Sequence, residues 1–483
     1  MLRQLFFLTL YSVLLGISPA TVAEPSSEPV KGALCVVRAD DKLVLVHEIL
    51  TNRISLPGGT IIEGEPPRTA AQRETWEETG LVVTVGKELG RTETAVFFDC
   101  VSDSEIISYS MVNSMGGNEL PIWFAPHYGV EIASAMLLTP EQLPASAYRY
   151  PAQWQTVVSY FDDATYQPVH YIHHLIESAP SFRQIELDWM MGLQSWVGSL
   201  SETSFQTAYQ IADLILELTT PAILLFLFPF VMMQFGSRFV FRLFFAVSAT
   251  SVMMLVAQQG FSLPRPHVYM PVVELTHSFG FSFPSLPIAV WCCVLTFLFQ
   301  KTGNFGANVT TAVIIGITLL VVLAKYFLGT AFMLDMLLGA LLGILVSWHI
   351  LRLEVNPEIN VDQLLTSKGV WFAMTAFTAV ISVIWPLPVF GNWLAILMAA
   401  SVIVMTFDKS QVQISARQTV FVTLVLVLAQ QLYLYSATIV SHSGFWSLVF
   451  TTLQYPMLML LFTLLVRKLT QEKRQKTRVQ EAE

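Results

Sequence analysis

The sequence predicts two structural classes in one chain: an exported α/β domain, then an all-α polytopic membrane domain of about nine spans. Three observations lead there. Of 483 residues, 54% are apolar and only 13% are charged, whereas a soluble domain carries about 25% charged residues. The charge is divided: residues 1–216 hold 11 Lys/Arg against 25 Asp/Glu, a net of −14, while residues 217–483 hold 15 against 10, a net of +5. Apolar stretches of bilayer-spanning length recur only in that second part. This composition excludes a disordered or nucleic-acid-binding chain, and the length calls for at least two domains.

The N-terminus reads as a secretory signal over residues 1–23. A short basic start, Met1-Leu-Arg-Gln, precedes a 13-residue apolar run from Leu5 to Ile17, then Ser18-Pro-Ala-Thr-Val-Ala23 with small residues at Thr21 and Ala23. The run is short for a membrane span. An uncleaved anchor is the alternative, and either device exports the domain after it. Four cysteines are too few for a disulfide framework. Cys292 and Cys293 lie in an apolar run and read as packing residues, while Cys35 and Cys100 lie in the polar part and can pair if it is exported.

Residues 32–48 read as two short strands joined by a polar turn at Asp40-Asp41, and Leu56-Pro-Gly-Gly59 reads as a turn. Pro66-Pro67 suits the first turn of a helix and Gly80 its end, which predicts a helix over 67–79. On that helix Glu74 and Glu78 share a face with Glu77 beside them. Arg73 lies four residues before Glu77, placed to pair with it and orient it. Adjacent carboxylates repel one another unless a cation neutralises them, and an oxygen-rich set suits Mg²⁺ or Mn²⁺. The plain alternative, a solvated acidic face, leaves the surrounding glycines, Glu65 and Arg73 unexplained.

The segment resembles the Nudix box, Gly-x5-Glu-x7-Arg-Glu-U-x-Glu-Glu-x-Gly-U with U a bulky aliphatic. Here those positions are Gly59, Glu65, Arg73, Glu74, Thr75, Glu77, Glu78, Gly80 and Leu81, with Thr75 standing where a larger aliphatic is usual. The resemblance covers residues 30–165. It implies an α/β/α sandwich that hydrolyses a nucleoside diphosphate linked to another moiety, or a related diphosphate such as a lipid-linked one. It further implies Glu74, Glu77 and Glu78 as metal ligands, helped by the Gly59 carbonyl and Glu65. The catalytic set would be Glu77, Glu74 and Arg73, with the general base drawn from the same glutamates.

Residues 183–216 mix apolar and polar side chains at helical spacing. Trp189, Met190, Leu193 and Trp196 suggest an amphipathic helix at the membrane interface, or one packed on the preceding domain. Nine spans follow at 219–236, 239–258, 284–300, 306–324, 330–351, 369–387, 391–407, 418–437 and 445–466. With the first domain outside, Arg238, Arg242, Lys301, Arg352, Lys368, Lys409 and Arg417 fall at inside ends, leaving Arg265 and Lys325 as the two outside basic residues of this half. Residues 467–483 then form a cytoplasmic tail.

Residues 217–352 resemble the membrane type-2 phosphatidic acid phosphatases, whose motifs are Lys-x6-Arg-Pro, Pro-Ser-Gly-His and Ser-Arg-x5-His-x3-Asp. Here they are eroded to Gln258-x6-Arg265-Pro266, Pro284-Ser285-Leu286-Pro287 and Ala324-Lys325-x5-Ala331-x3-Asp335. The family's attacking histidine is Ala331, and its proton-donating histidine is Pro287. The resemblance therefore implies a phosphate-binding remnant of Arg265, Ser285, Lys325 and Asp335, or else a bare anchor. Spans over 369–466 lie beyond it.

The reading that joins these parts is a membrane-tethered hydrolase cleaving a diphosphate outside the cytoplasm, with membrane lipids as its surroundings and no nucleic acid partner. The competing readings are a phosphatidic acid or undecaprenyl-diphosphate phosphatase, which Ala331 opposes, and a non-catalytic lipid-phosphate-binding protein.

Overall fold

In the first domain, strands whose successive residues face opposite sides bury both faces. The computed structural model describes residues 30–302, 309–355, 358, 360–406 and 411–480, so the signal at 1–23 lies outside the described residues. One mixed sheet has the order β5-β1-β7-β6, formed by β1 (Gly32–Val36), β5 (Gly58–Thr60), β6 (Val83–Arg91) and β7 (Ala95–Ser102). Within it β1 runs parallel to β7 and antiparallel to β5. The second sheet has the order β11-β2-β3-β10-β9, with β4 (Ile54–Ser55) on β3. Its members are β2 (Arg38–Ala39), β3 (Lys42–Glu48), β9 (Asn118–Glu119), β10 (Ile132–Leu138) and β11 (Tyr166–Gln167). A parallel pair joins β8 (Ile106–Tyr109) to β12 (Val169–Ile172), so the strands extend past residue 165. The turn expected at Asp40-Asp41 links β2 to β3, with Asp40 at φ 50°.

Helix α1 (Pro67–Thr79) has the predicted bounds, with Pro67 in its first turn. Gly80 at φ 71° takes the left-handed position that ends it, its N–H donating to the Trp76 carbonyl. Ala70 and Ala71 of α1 pack with Ala33, Val44, Val46, Phe98 and Leu137. The alternate strand residues Val36, Leu43, Leu45, Phe97 and Met136 pack with Trp154 and Val157 of α2 (Trp154–Phe161). Cys35 on β1 and Cys100 on β7 form a disulfide with a Cα–Cα separation of 5.4 Å.

The rest of the chain is helical: α3 (Ser181–Leu200), α4 (Glu202–Glu217), α5 (Pro221–Phe235), α6 (Ser237–Phe261), α7 (Leu286–Thr302), α8 (Val309–Phe327), α9 (Met333–Val355), α10 (Lys368–Ile384), α11 (Pro388–Thr406), α12 (Ala416–Ile439) and α13 (Gly444–Gln480). A helix stands at every segment expected to span. Among the described residues five are long and apolar enough to cross a membrane, at 237–261, 333–354, 388–406, 416–439 and 444–471. Helices α4 and α5 qualify as a pair bent by 58°, and 286–300, 311–327 and 368–384 are shorter apolar helices.

Helix α3 packs on the apolar helices that follow it. Leu187 and Met190 join Tyr269, Ile288, Tyr326 and Phe332 in one buried cluster. Trp189 and Trp196 are 63% and 62% exposed while Met190 is fully buried. The residues expected to share one face thus divide between a protein-facing side and an outward apolar side.

The two domains meet along a polar and aromatic seam. Tyr109 donates its hydroxyl proton to the Val268 carbonyl, Leu175 N–H bonds the Tyr269 carbonyl at 2.7 Å, and the Tyr128 and Phe281 rings lie 6.0 Å apart. At this seam burial lowers the His267 imidazole to about 4, with Glu274 Oε1 3.6 Å away. The unfolded imidazole titrates near 6.5, so in acid the unfolded chain takes up a proton that the folded one resists. Stability relative to His267→Gln is therefore lost as pH falls from about 6.5 towards 4, by up to about 3 kcal/mol. Burial raises the Glu119 and Glu274 carboxyls, which pull the opposite way, and the variant comparison removes their contribution. Melting temperatures of both proteins in detergent at pH 7.5 and 5 check this, and parallel curves would refute it.

Candidate metal centre and membrane polar site

Helix α1 places its carboxylates around a single guanidinium. Arg73 bonds Glu65 through Nε (3.0 Å) and Nη2 (3.1 Å), and through Nη1 it bonds Glu74 Oε1 (2.9 Å) and Glu77 Oε2 (2.8 Å). These are charge-assisted bonds, which fix geometry as well as adding energy. The Arg73 hydrogen bond lowers the Glu65 carboxyl. Burial raises Glu74 in spite of Arg73, and it pushes Glu78 well up. Glu78 turns inward, accepting the Gly58 N–H at 2.9 Å. A Cβ at Gly59 would come within 2.4 Å of the Glu74 carboxyl carbon, so glycine there lets the β5 backbone lie against that carboxylate. Thr75 is buried, with its hydroxyl bonded to the Ala71 carbonyl at 2.7 Å, so the smaller polar residue leaves no orphaned donor.

A residue the sequence reading did not single out completes this cluster. One ligand atom each from Glu74, Glu77 and His127 lie within 4.8 Å of one another. The His127 N–H donates to the Glu77 carbonyl (2.8 Å), and its Nε2 stands 3.8 Å from Glu77 Oε2. Its Nδ1 is buried without a hydrogen bond. Two carboxylates and an imidazole converge while one guanidinium balances several negative charges, and that donor set fits a divalent cation. Glu74 and Glu77 are brought together as expected, Glu65 is held by Arg73, and Glu78 faces Gly58.

The residues among the apolar helices expected to form a phosphate remnant are for the most part engaged by other protein groups. Asp335 is taken by other groups: Arg183 Nη2 lies 3.2 Å from its Oδ1, and the Ser282 hydroxyl donates to Oδ2. Both ion-pair side chains are 1% exposed. Arg183 also bonds the Pro264 carbonyl at 2.7 Å and lies 4.4 Å over the Phe332 ring. Nothing in the spacing of residue 183 announced this partner. Helix α3 is tied in a second time through Glu186, whose Oε2 accepts the Met333 N–H at 2.6 Å. Ser285 is buried, with its N–H on the Asp335 carbonyl at 2.9 Å. Arg265 bonds the Phe279 carbonyl at 2.7 Å and the Thr330 carbonyl. Lys325 is 6% exposed.

The site is thus a carboxylate–imidazole cluster on a capped helix, set against a mixed-sheet domain, with a donor set that a divalent cation would suit. Residues 28–158 match the family model of the NUDIX domain. A MutT-like protein of Streptomyces ambofaciens is 36% identical over 72 residues. That stretch is 15% of this chain and 47% of the relative, so the chain spans about half the length of the relative it matches. Among solved structures, Aquifex aeolicus LpxE has a TM-score of 0.29 at 21% identity, covering 34% of this chain and 94% of that one. An ADP-ribose pyrophosphatase from Streptococcus suis has a TM-score of 0.21 at 17% identity, covering 29% and 97%. A UDP-X diphosphatase has a TM-score of 0.20 at 18% identity, covering 32% and 73%.

Proposed function

We propose that this chain is a membrane-anchored Nudix hydrolase that cleaves a diphosphate linkage outside the cytoplasm. The observation that carries the reading is the convergence of Glu74, Glu77 and His127 beside Arg73 and Gly59. The helix–sheet–helix layering of the domain supports an α/β/α sandwich. A divalent cation, Mg²⁺ or Mn²⁺, would neutralise the diphosphate and acidify an attacking water. Glu74 and Glu77 would hold it, with His127, Glu78 and the Gly59 carbonyl as further donors. Arg73 fixes the carboxylates in place, and the glutamate cluster supplies the base. Substrates in this reading are nucleoside diphosphates linked to another group, or lipid-linked diphosphates.

The outside orientation is supported by the Cys35–Cys100 disulfide, a bond that persists in oxidising compartments, and by the sorting of basic residues. All nine apolar segments would then span the membrane. Within it, Arg265 and Lys325 form a pocket for a lipid phosphate that lacks the means to cleave it, since Ala331 and Pro287 offer neither nucleophile nor acid. The test uses full-length protein in detergent with Mg²⁺ or Mn²⁺ and a panel of ADP-ribose, a nucleoside triphosphate, a polyprenyl diphosphate and phosphatidic acid. Cleavage at a diphosphate is expected. Release of phosphate from phosphatidic acid alone would overturn the reading.

A further inference from the structure

The core of the Nudix domain is completed by residues from the helical part of the chain. The connection between α6 and α7, residues 262–285, buries Val268 and packs the half-buried Phe281 in one cluster with Ile122, Ala125, Tyr128 and Ile132. The connection is itself held in shape. Pro264 and Phe281 pair as an antiparallel bridge, and the Ser282 N–H bonds the Leu263 carbonyl at 3.2 Å. Arg265 Nε bonds the Phe279 carbonyl at 2.7 Å, and Arg183 of α3 bonds the Pro264 carbonyl at 2.7 Å.

This platform supports the segment that carries His127. The Trp123 and Tyr269 rings lie 6.5 Å apart, and Tyr128 meets Phe281 edge to face at 6.0 Å. Next to that ring Gly129 and Gly280 touch main chain to main chain, since a Cβ on Gly129 would lie 2.6 Å from the Gly280 Cα. The His127 carbonyl closes the turn, accepting the N–H groups of Glu131 and Ile132, each at 3.0 Å. Tyr128 and Gly129, the residues inside the turn, are the ones that the connection touches. The imidazole has less support of its own. Among the described residues Nδ1 is buried without a hydrogen bond, and Nε2 stands 3.8 Å from Glu77 Oε2, beyond hydrogen-bond length. A histidine ligand is ordinarily oriented by a hydrogen bond from its other ring nitrogen. The main chain must set this one: the Glu77 carbonyl takes the His127 N–H at 2.8 Å on one side, and the seam holds Tyr128 and Gly129 on the other.

We infer that Phe281 and Val268 are positioning residues for the metal centre: the α6–α7 connection sets the turn that aims His127 at the cation held by Glu74 and Glu77. This rests on the reading of those three side chains as cation ligands. It makes the helical part more than an anchor. Parting the seam loosens the cation, and by linkage a bound cation tightens the seam.

The experiment uses full-length protein in detergent with Mn²⁺ as the probe. Paramagnetic resonance gives the affinity, and spin-echo modulation detects a nitrogen bound directly to the ion. Wild type should show one imidazole nitrogen, and His127→Ala should lose it. Phe281→Ala should bind Mn²⁺ about tenfold more weakly, the scale of a lost supporting contact behind a metal ligand. At saturating Mn²⁺ it should also lose the nitrogen coupling, a signature that weaker folding alone leaves in place. Phe281→Leu, which keeps apolar volume against Tyr128, should retain it. Val268→Ala should shift affinity in the same direction and serves if Phe281→Ala does not fold. Amide exchange over 264–281 in wild type should slow when Mn²⁺ is added, and unchanged exchange would refute the coupling. If Phe281→Ala and Val268→Ala keep wild-type affinity and coupling while His127→Ala loses the nitrogen, the positioning role is refuted and the metal centre stands. Mn²⁺ bound in wild type without a nitrogen also refutes it, leaving a centre of glutamates alone. If wild type binds no Mn²⁺, the metal-centre reading falls with it.

Discussion

Glu77→Gln should lower diphosphate hydrolysis by about 10³-fold while leaving the melting temperature within a few degrees of wild type. Glu77 lies at the centre of the cluster: its carboxylate meets Arg73 Nη1 at 2.8 Å and faces His127 Nε2 at 3.8 Å, while its carbonyl accepts the His127 N–H. An amide keeps the size and can still accept from Arg73, but it removes the charge that would make Glu77 a cation ligand. The fold loses little, because the three carboxylates on one helix repel one another and removing one relieves that. Function loses much, since neutralising a diphosphate is worth several kcal/mol to its cleavage. Initial rates against Mg²⁺ concentration, with Mn²⁺ binding followed by paramagnetic resonance, separate the outcomes. Retention of more than about a tenth of the activity would place the chemistry elsewhere.

Helix α1 was legible because its signals are local. Pro66-Pro67 and Gly80 are separated by one helix length, and the spacing of Arg73, Glu74, Glu77 and Glu78 brings them onto adjoining faces. His127 was hidden for the opposite reason. It sits about fifty residues downstream in irregular chain, and a contact made by chain reversal leaves no period in the sequence. Strands of two to four residues, such as β11 and β12, are too short to show alternation. Helix α3 misled through its composition, because large apolar side chains lie on both its faces. Periodicity finds Trp189, Met190, Leu193 and Trp196 but cannot say which side meets protein, and packing buries Met190 while leaving both tryptophans exposed. The apolar helices were legible because an unbroken apolar run is itself a local signal, and a helix stands at each such run.

Arg183→Met should destabilise the helical part of the chain by about 3–5 kcal/mol, and so should Asp335→Leu, while the double variant costs much less than their sum. The pair is enclosed on every side: Arg183 reaches Pro264 through Nη1 and Asp335 through Nη2, with Phe332 under its guanidinium. Removing the arginine alone leaves a buried carboxylate with the Ser282 hydroxyl as its remaining side-chain partner. Removing both partners replaces the ions with apolar volume, which buried sites often accept at little cost. Thermal unfolding in detergent of wild type, the two single variants and the double variant closes a double-mutant cycle, and the coupling energy should be at least about 3 kcal/mol, as large as one single loss. Additive losses would mean that the two side chains act through packing alone. The Arg183–Asp335 pair joins α3 to α9, and Glu186 accepting the Met333 N–H is a second tie between the same two helices.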